Sequence, residues 1–361
     1  MNELKKSSML ITHSKPTIDQ EDIKRVTEVL ASGRIAQGEE VKRFENSVAN
    51  FVGAKYAVAC SSGTSALHLA LIGLGIKPGD EVLLPSYVCS SPFLAVKHAG
   101  ATPRIADIDI SDFNICAATA KNQLSAKTKA IIVPHLFGTA AELDELRELG
   151  IPLVEDCAQS LGAEYKKRKV GSVGELSAFS FYATKMITTG EGGMVLTNHE
   201  EFYQRALEAR DYDRKPLSPT KYNYKMTDFQ AALGLSQMTK LDDFINRRRR
   251  LASLYTERFL DCPIVTPHFY RHKNSVFFRY VVLVDNVDPV RDLAKQNQIN
   301  CEKPVYKPLH EMLGISKCPC SDQASNHALS IPIYPSLNDD QAAYLTQILS
   351  DIFKHVCYSH A

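Results

Sequence analysis

From Tyr56 to Asn198, short β-branched apolar runs alternate with helical or turn segments: YAVACSS, DEVLLPSY, TPRIADID, KAIIVPHL, IPLVEDCA, SAFSFY and GMVLTN. Stretches such as AIIV and PLV are continuously apolar instead of alternating, the pattern of strands covered on both faces. Seven such runs with intervening helices predict an α/β fold built on a mostly parallel, doubly wound, seven-stranded sheet. In such sheets ligands gather at the carboxyl ends of the strands, so the residues just past each run are the ones to inspect.

Ahead of the sheet, Asp19 is placed to cap a helix reaching about Ser32, with Ile23, Val26 and Leu30 on one face and Gly33 as its stop. Beyond Met226 a long helical stretch begins, DFQAALGLSQMTKLDDFINRRRRLASLYTERFL, in which Leu241, Phe244, Leu251, Leu254, Tyr255 and Phe259 keep helical spacing. The Arg247–Arg250 run inside it reads as a solvated or inter-subunit face rather than a nucleic-acid patch. After Pro263 follow a candidate strand pair around VFFRYVVLV, a helix at PVRDLAKQNQ and a Pro-rich segment, IPIYPSL. The expected organisation is a large domain over residues 1–240, with 1–35 as an N-terminal arm and helix, and a smaller C-terminal α+β lobe over 241–361 entered by a long linking helix.

Charge and cysteine usage narrow the function classes. The 42 basic and 41 acidic side chains leave a formal charge of +1, so no global field gathers nucleic acid or an anionic membrane. The only apolar run near the start, Met9 to Ile11, is too short for a signal peptide, and no stretch suggests a membrane span. The nine cysteines form no CxxC pair, which predicts reduced thiols and a cytoplasmic location. Cys318 and Cys320, in KCPCSD, read as a Pro-flanked surface loop in preference to a metal ligand pair. No metal site is expected.

Three segments carry candidate chemistry. In SSGTSALHLALIGLGI, a strand ends at Ser61–Gly63 and a helix begins near Thr64, with Leu67, Ala70, Leu71 and Leu74 facing the core. Free amides and hydroxyls at a helix start beside a glycine suit a phosphate, although the same residues also make an ordinary cap. The Gly-x4-Gly-Lys-Ser/Thr pattern of a P-loop is absent. In IPLVEDCAQSLGA, a buried strand ends in Glu155 and Asp156, with Gln159 three residues on. A carboxylate there calls for a cationic partner, such as a protonated pyridine nitrogen; the alternative is an Asp that caps the following turn. In SAFSFYATKMITTGEGGMVLTN, Lys185 follows an apolar strand among Phe179, Phe181, Tyr182, Met186 and Ile187, a setting that lowers an amine's pKa, and Ser180 precedes it by five residues.

Together these segments resemble the DegT-type sugar aminotransferases, fold-type I enzymes that use pyridoxal 5'-phosphate (PLP) on nucleotide-linked keto-sugars. The resemblance spans nearly the whole chain, including GRIAQGEEVKRFENSVANFVGAKYAVACSSGTSAL, LGIKPGDEVLLPSY, KTKAIIVPHLFG, EDCAQSLGAEY, TGEGGMVLTN, YNYKMTDFQAALGLSQMTKLD and VYKPLH. It implies Lys185 as the Schiff-base lysine and proton shuttle, Asp156 as partner of the pyridine nitrogen, and Gln159 at the ring hydroxyl. Gly63, Thr64, Ser65 and Ser180 would line the phosphate. Asn223 would reach the phosphate of a neighbouring subunit, so a homodimer with shared active sites is implied. Arg34, Lys225, Tyr306, His310 and the TGEGG turn are candidates for substrate contact.

The sequence also departs from the family pattern. Where many members carry Thr and an aromatic that stacks on the cofactor, Val88 and Cys89 stand, so that either the Cys89 thiol or a residue from elsewhere is expected to cover the ring face. The usual Asn-Tyr-Arg-Met reads Asn223-Tyr224-Lys225-Met226, which keeps the charge but loses bidentate geometry. The implied reaction passes an amino group from glutamate or glutamine, through the cofactor, to a keto-sugar. The alternatives are a keto-cyclitol or other keto-polyol as acceptor, or a regulatory homologue without catalysis.

Overall fold

The computed structural model describes residues 10–213, 215–216, 220–315 and 318–358. All seven apolar runs become strands of one sheet: β1 (Tyr56–Cys60), β2 (Glu81–Pro85), β3 (Thr102–Ala106), β4 (Thr128–Pro134), β5 (Leu153–Asp156), β6 (Leu176–Ser180) and β7 (Gly193–Thr197). Their order is β1-β7-β6-β5-β4-β2-β3. Pairing is parallel from β3 through to β6, whereas β7 runs antiparallel to both β6 and β1. Residues 181–192, which join β6 to β7, contain no helix, and a parallel return would need a crossover, usually a helical one.

Side chains of alternate residues enter the cores on opposite faces. Leu83, Ile131, Val133, Leu153 and Met194 pack on one side; Val82, Leu84, Ile132, Val154 and Val195 pack on the other. Because both faces of the central strands are dry, apolar residues predominate on each, which is why sequences such as AIIV do not alternate. Helices α1 (Gln20–Ser32), α2 (Glu39–Val52), α3 (Gly63–Leu74), α4 (Ser91–His98), α5 (Glu200–Arg210) and α6 (Asp228–Met238) accompany the sheet. The third is buried all round, with Leu67, Leu69, Ala70 and Leu71 sealed between its neighbours.

The first helix begins at its Asp19 cap, with a complete capping box, and stops at Gly33 in the left-handed region. Its expected apolar face is turned the other way: Ile23 and Leu30 are half exposed, while Asp22 and Val29 point inward. Docking is polar. Asp22 is fully buried, accepts a hydrogen bond from Gln237 Nε2 at 2.8 Å and pairs with Lys240 Nζ at 2.8 Å.

The long helical stretch is two helices, α6 and α7 (Leu241–Arg258), separated at Thr239–Lys240. Of its arginine run only Arg250 is exposed; the other three are engaged. Arg247 pairs with Asp339 at 2.6 Å, Arg249 Nε donates to Ser275 O at 2.9 Å, and Arg248 is buried with its Nη1 against the carbonyls of Phe278 (3.1 Å) and Ile333 (2.7 Å). These side chains bind the helix to the C-terminal segments, whose free carbonyls need donors.

There β8 (Tyr280–Leu283) and β9 (Ala328–Ile331) form an antiparallel pair, flanked by α8 (Val287–Gln296) and α9 (Asp339–Tyr358). Ile11 crosses from the start of the chain to this core, bridging Ile299. Cys318 also departs from the surface-loop reading: it is buried at the start of a helix, Pro319–His327, whose first amides at Cys320 and Ser321 donate to Asp107. Cys60, Cys89, Cys116, Cys157, Cys262, Cys301, Cys318 and Cys320 form no disulfide among the described residues, and no described helix is long and apolar enough to cross a membrane.

Candidate active site

Strand register assembles the first part of the site. Gly193 pairs with Cys60 on one side and with Ser180 on the other, so the ends of β1 and β6 meet across a residue without a side chain. A Cβ on Gly193 would lie 2.2 Å from Ser62 O, and one on Gly63 would lie 2.8 Å from Ser180 Cβ. The loop leading into α3 therefore rests directly on the end of β6. Ser62 caps that helix, its Oγ accepting from Ser65 N–H at 3.1 Å, so the capping reading holds. The Ser65 hydroxyl is 2.9 Å from that of Ser62 and 3.2 Å from that of Ser61; Thr64 Oγ1 is 2.6 Å from Ser91 Oγ. Hydroxyls and unpaired helix amides converge around a close-packed glycine, which is also what a phosphate requires.

At the end of β5 the two carboxylates part company. Glu155 is fully buried and accepts from Gly171, Val173 and Gly174 N–H and from His135 Nε2. Ala141 N–H donates to His135 Nδ1, so the proton of this imidazole sits on Nε2 and faces the carboxylate. Burial by itself would raise the pKa of Glu155; His135 and the amides outweigh it and hold it low. Glu155 is thus a structural anion, complete without a ligand.

Asp156 is different. Its Oδ1 accepts Ala158 N–H at 3.0 Å, as the turn-capping reading expected. Among the described residues it has no ion-pair partner, and burial pushes its pKa up against the pull of that amide, Lys185 and His135. A buried carboxylate short of a cation is a place for a protonated ring nitrogen. Gln159 Oε1 accepts Phe137 N–H at 2.9 Å, which leaves its amide hydrogens available.

Lys185 sits in the β6–β7 connection, its backbone N–H bonded to Tyr182 O at 2.9 Å. Its Nζ lies 5.1 Å from the Phe278 ring centroid and has no hydrogen-bond partner among the described residues. Burial, helped by Arg279, lowers its pKa, against the attraction of Cys89 and Asp156. The Cys89 thiol acts on Lys185 from the loop after β2; burial and the Asp156 charge push the thiol's own pKa up. These residues fit PLP: a glycine-tight hydroxyl cradle for phosphate, a carboxylate lacking a cation for the ring nitrogen, and an amine of depressed pKa for the aldehyde.

The remaining candidates lie elsewhere. Asn223 is exposed in the bridge to Asp211 and bonds no described side chain. Lys225 is closed off, its Nζ paired with Asp211 at 3.0 Å and with Asp213, so its charge is not presented to a substrate. His310 is buried with both ring nitrogens committed, Nδ1 to Ser86 Oγ at 2.6 Å and Nε2 to Asp322 at 2.9 Å; it fastens its segment to the end of β2. Tyr306, on the same segment, is 93% exposed. Arg34 is exposed beside a surface hollow of about 690 Å³ that Arg25 and Arg43 also line.

Sequence reasoning missed His135, Phe278 and Arg279. His135 follows a buried strand, in VPHLFG, and the rule that directs attention to strand ends would have found it. Nothing local marks Phe278, whose place against Lys185 arises from long-range packing.

Residues 16–350 match the DegT/DnrJ/EryC1/StrS aminotransferase family. The chain is 33% identical to a GDP-perosamine synthase of Escherichia coli O157:H7, over 94% of this chain and 97% of that one. Among solved structures, DesV of S. venezuelae is 32% identical with a TM-score of 0.87, covering 92% of this chain and 94% of its own. The PLP form of a putative sugar aminotransferase, Spr1654 of Streptococcus pneumoniae, is 25% identical with a TM-score of 0.90, covering 96% of this chain and 99% of its own. With a match across most of its length and a site that suits the cofactor, the chain belongs to the DegT/DnrJ/EryC1/StrS family and is a PLP-dependent sugar aminotransferase.

Proposed function

We propose that this enzyme transfers an amino group from glutamate or glutamine to a nucleotide-linked keto-sugar in amino-sugar biosynthesis, as a cytoplasmic homodimer. The observation that carries the sugar assignment is the third of residues shared, over nearly the full chain, with GDP-perosamine synthases. In this reading the 1–240 unit holds the cofactor and the 241–361 lobe closes over it. Lys185 Nζ holds the cofactor and moves the proton at the reacting carbon, a role its depressed pKa suits. Asp156 keeps the ring nitrogen protonated, and Gln159 donates to the ring hydroxyl. Gly63, Thr64, Ser65 and Ser180 hold the phosphate, and Asn223 serves the phosphate of the partner subunit. Bound PLP supplies an electron sink for the carbon that bears the transferred amine.

Two features support a dimer. Asn223 presents its side chain outward. Ile18, Ile23, Leu30 and Ile35 are 44–51% exposed along the N-terminal segment and α1, apolar surface of the kind a second copy covers. Cys89, standing where relatives place a stacking aromatic, favours a keto-cyclitol as the second reading of the acceptor.

The test is amino transfer from ¹⁵N-labelled glutamate or glutamine to a panel of nucleotide-linked keto-sugars and keto-cyclitols, read by mass spectrometry. A labelled nucleotide-linked amino-sugar is expected, and Lys185→Ala should abolish it. Labelling of cyclitols alone would replace the first reading by the second.

A further inference from the structure

Three cations surround the ring of Phe278. Lys185 Nζ and the Arg279 guanidinium carbon each lie 5.1 Å from its centroid, and the Arg248 guanidinium carbon lies at 6.0 Å. Arg248 is occupied by the carbonyl oxygens already described. Arg279 has no anion: its Nη1 rests 3.0 and 2.9 Å from the two ring nitrogens of His13, and among the described residues no carboxylate pairs with it. Burial and the adjacent guanidinium push the His13 pKa down to about 3, so this partner is neutral. Glu302, the carboxylate whose charge reaches Arg279, is itself held by Arg291 at 2.9 Å.

A half-buried guanidinium without a counter-ion, beside the buried Arg248, is unfavourable until an anion arrives. The position is fixed from behind. Arg279 N–H donates to Phe137 O at 3.3 Å, and Phe137 N–H donates to Gln159 Oε1, so the backbone carrying the guanidinium is tied to the segment that holds Gln159. Because Lys185 and Arg279 share one aromatic ring, they are separated by at most twice their distance to it. An amino acid with its amine at Lys185 and a carboxylate on Arg279 spans such a gap. Lys225, the cation the sequence put forward, is neutralised by Asp211 and Asp213.

We infer that Arg279 anchors a carboxylate of the amino-donating amino acid. This rests on the transamination reading above and makes Arg279 a determinant of donor specificity. It involves no covalent step: a fork of N–H donors meets a carboxylate and fixes the donor's orientation at Lys185.

The experiment uses the cofactor-loaded enzyme and two readouts. Calorimetric titration with glutarate, a dicarboxylate without the amine, reports carboxylate binding independently of turnover. The donor half-reaction with glutamate, followed by cofactor absorbance, reports the concentration giving half the maximal rate. Arg279→Gln should weaken glutarate roughly 10- to 100-fold and raise the glutamate requirement by a similar factor, with Arg279→Lys between it and the wild type. The reverse half-reaction with the aminated sugar should keep its wild-type half-saturation. Unchanged glutarate affinity, or equal losses for glutarate and amino-sugar, overturns the assignment. If wild-type enzyme converts no amino acid, the transamination reading itself fails; if it converts glutamate and Arg279→Gln matches it, only the role of Arg279 fails.

Discussion

Glu155 and Asp156 are neighbours in sequence and opposites in chemistry. The first carries three backbone donors and the His135 Nε2–H; the second has one amide and no ion-pair partner among the described residues. Glu155→Gln replaces an acceptor-only group by one that points a donor at other donors. It should cost about 3 kcal/mol of stability, measured by urea unfolding; a change within experimental scatter would contradict the account. The depressed pKa of Glu155 gives the sign of the pH effect: its stabilisation is complete above the ordinary glutamate range and fades as pH falls through the lower, folded-state value. Lys185 has a lowered pKa, so the free amine appears at a lower pH than for an ordinary lysine. PLP loading of the apo-protein, timed by absorbance across a pH series, should rise with pH and level off below the usual lysine range. A midpoint at the ordinary lysine value would contradict this.

At the scale of elements, the central strands were legible because they are buried on both faces and so read as continuous apolar runs. Asp156 draws attention because it ends such a run, and Lys185 because it follows one within five residues. What escaped was decided by contacts far apart in sequence. The outward turn of Ile23 and Leu30 follows from Asp22 meeting Gln237 and Lys240, a polar docking that the apolar stripe of α1 does not reveal. The arginine run looked like a solvated face because the carbonyls it satisfies, at Phe278 and Ile333, lie in other elements. Gly193 matters for a similar reason, since Ser62 O occupies the place of its side chain. Gly193→Ala should displace the loop into α3 and weaken PLP binding at least tenfold, roughly 1.4 kcal/mol or more, by fluorescence titration, with β6 and Lys185 intact. Undiminished affinity would mean that the loop does not hold the phosphate.

For the whole molecule, the ends of the large sheet carry the proposed cofactor groups, while Phe278 and Arg279 lie at the entry to β8. Phe278 packs into the core on one face of that sheet, a contact that sequence patterning does not reveal. The proposed dimer, suggested by half-exposed apolar residues on α1 and by the exposed Asn223, should be reported by light scattering as twice the chain mass. Mixing Asn223→Ala with Lys185→Ala subunits should restore part of the activity if sites are shared; no recovery despite proven exchange would contradict sharing. The most direct test of the account as a whole is where the cofactor is attached. Borohydride treatment of the yellow, PLP-loaded protein, followed by peptide mass mapping, should place the added cofactor mass on Lys185 alone and bleach the visible band; label on another lysine, or none, would contradict it.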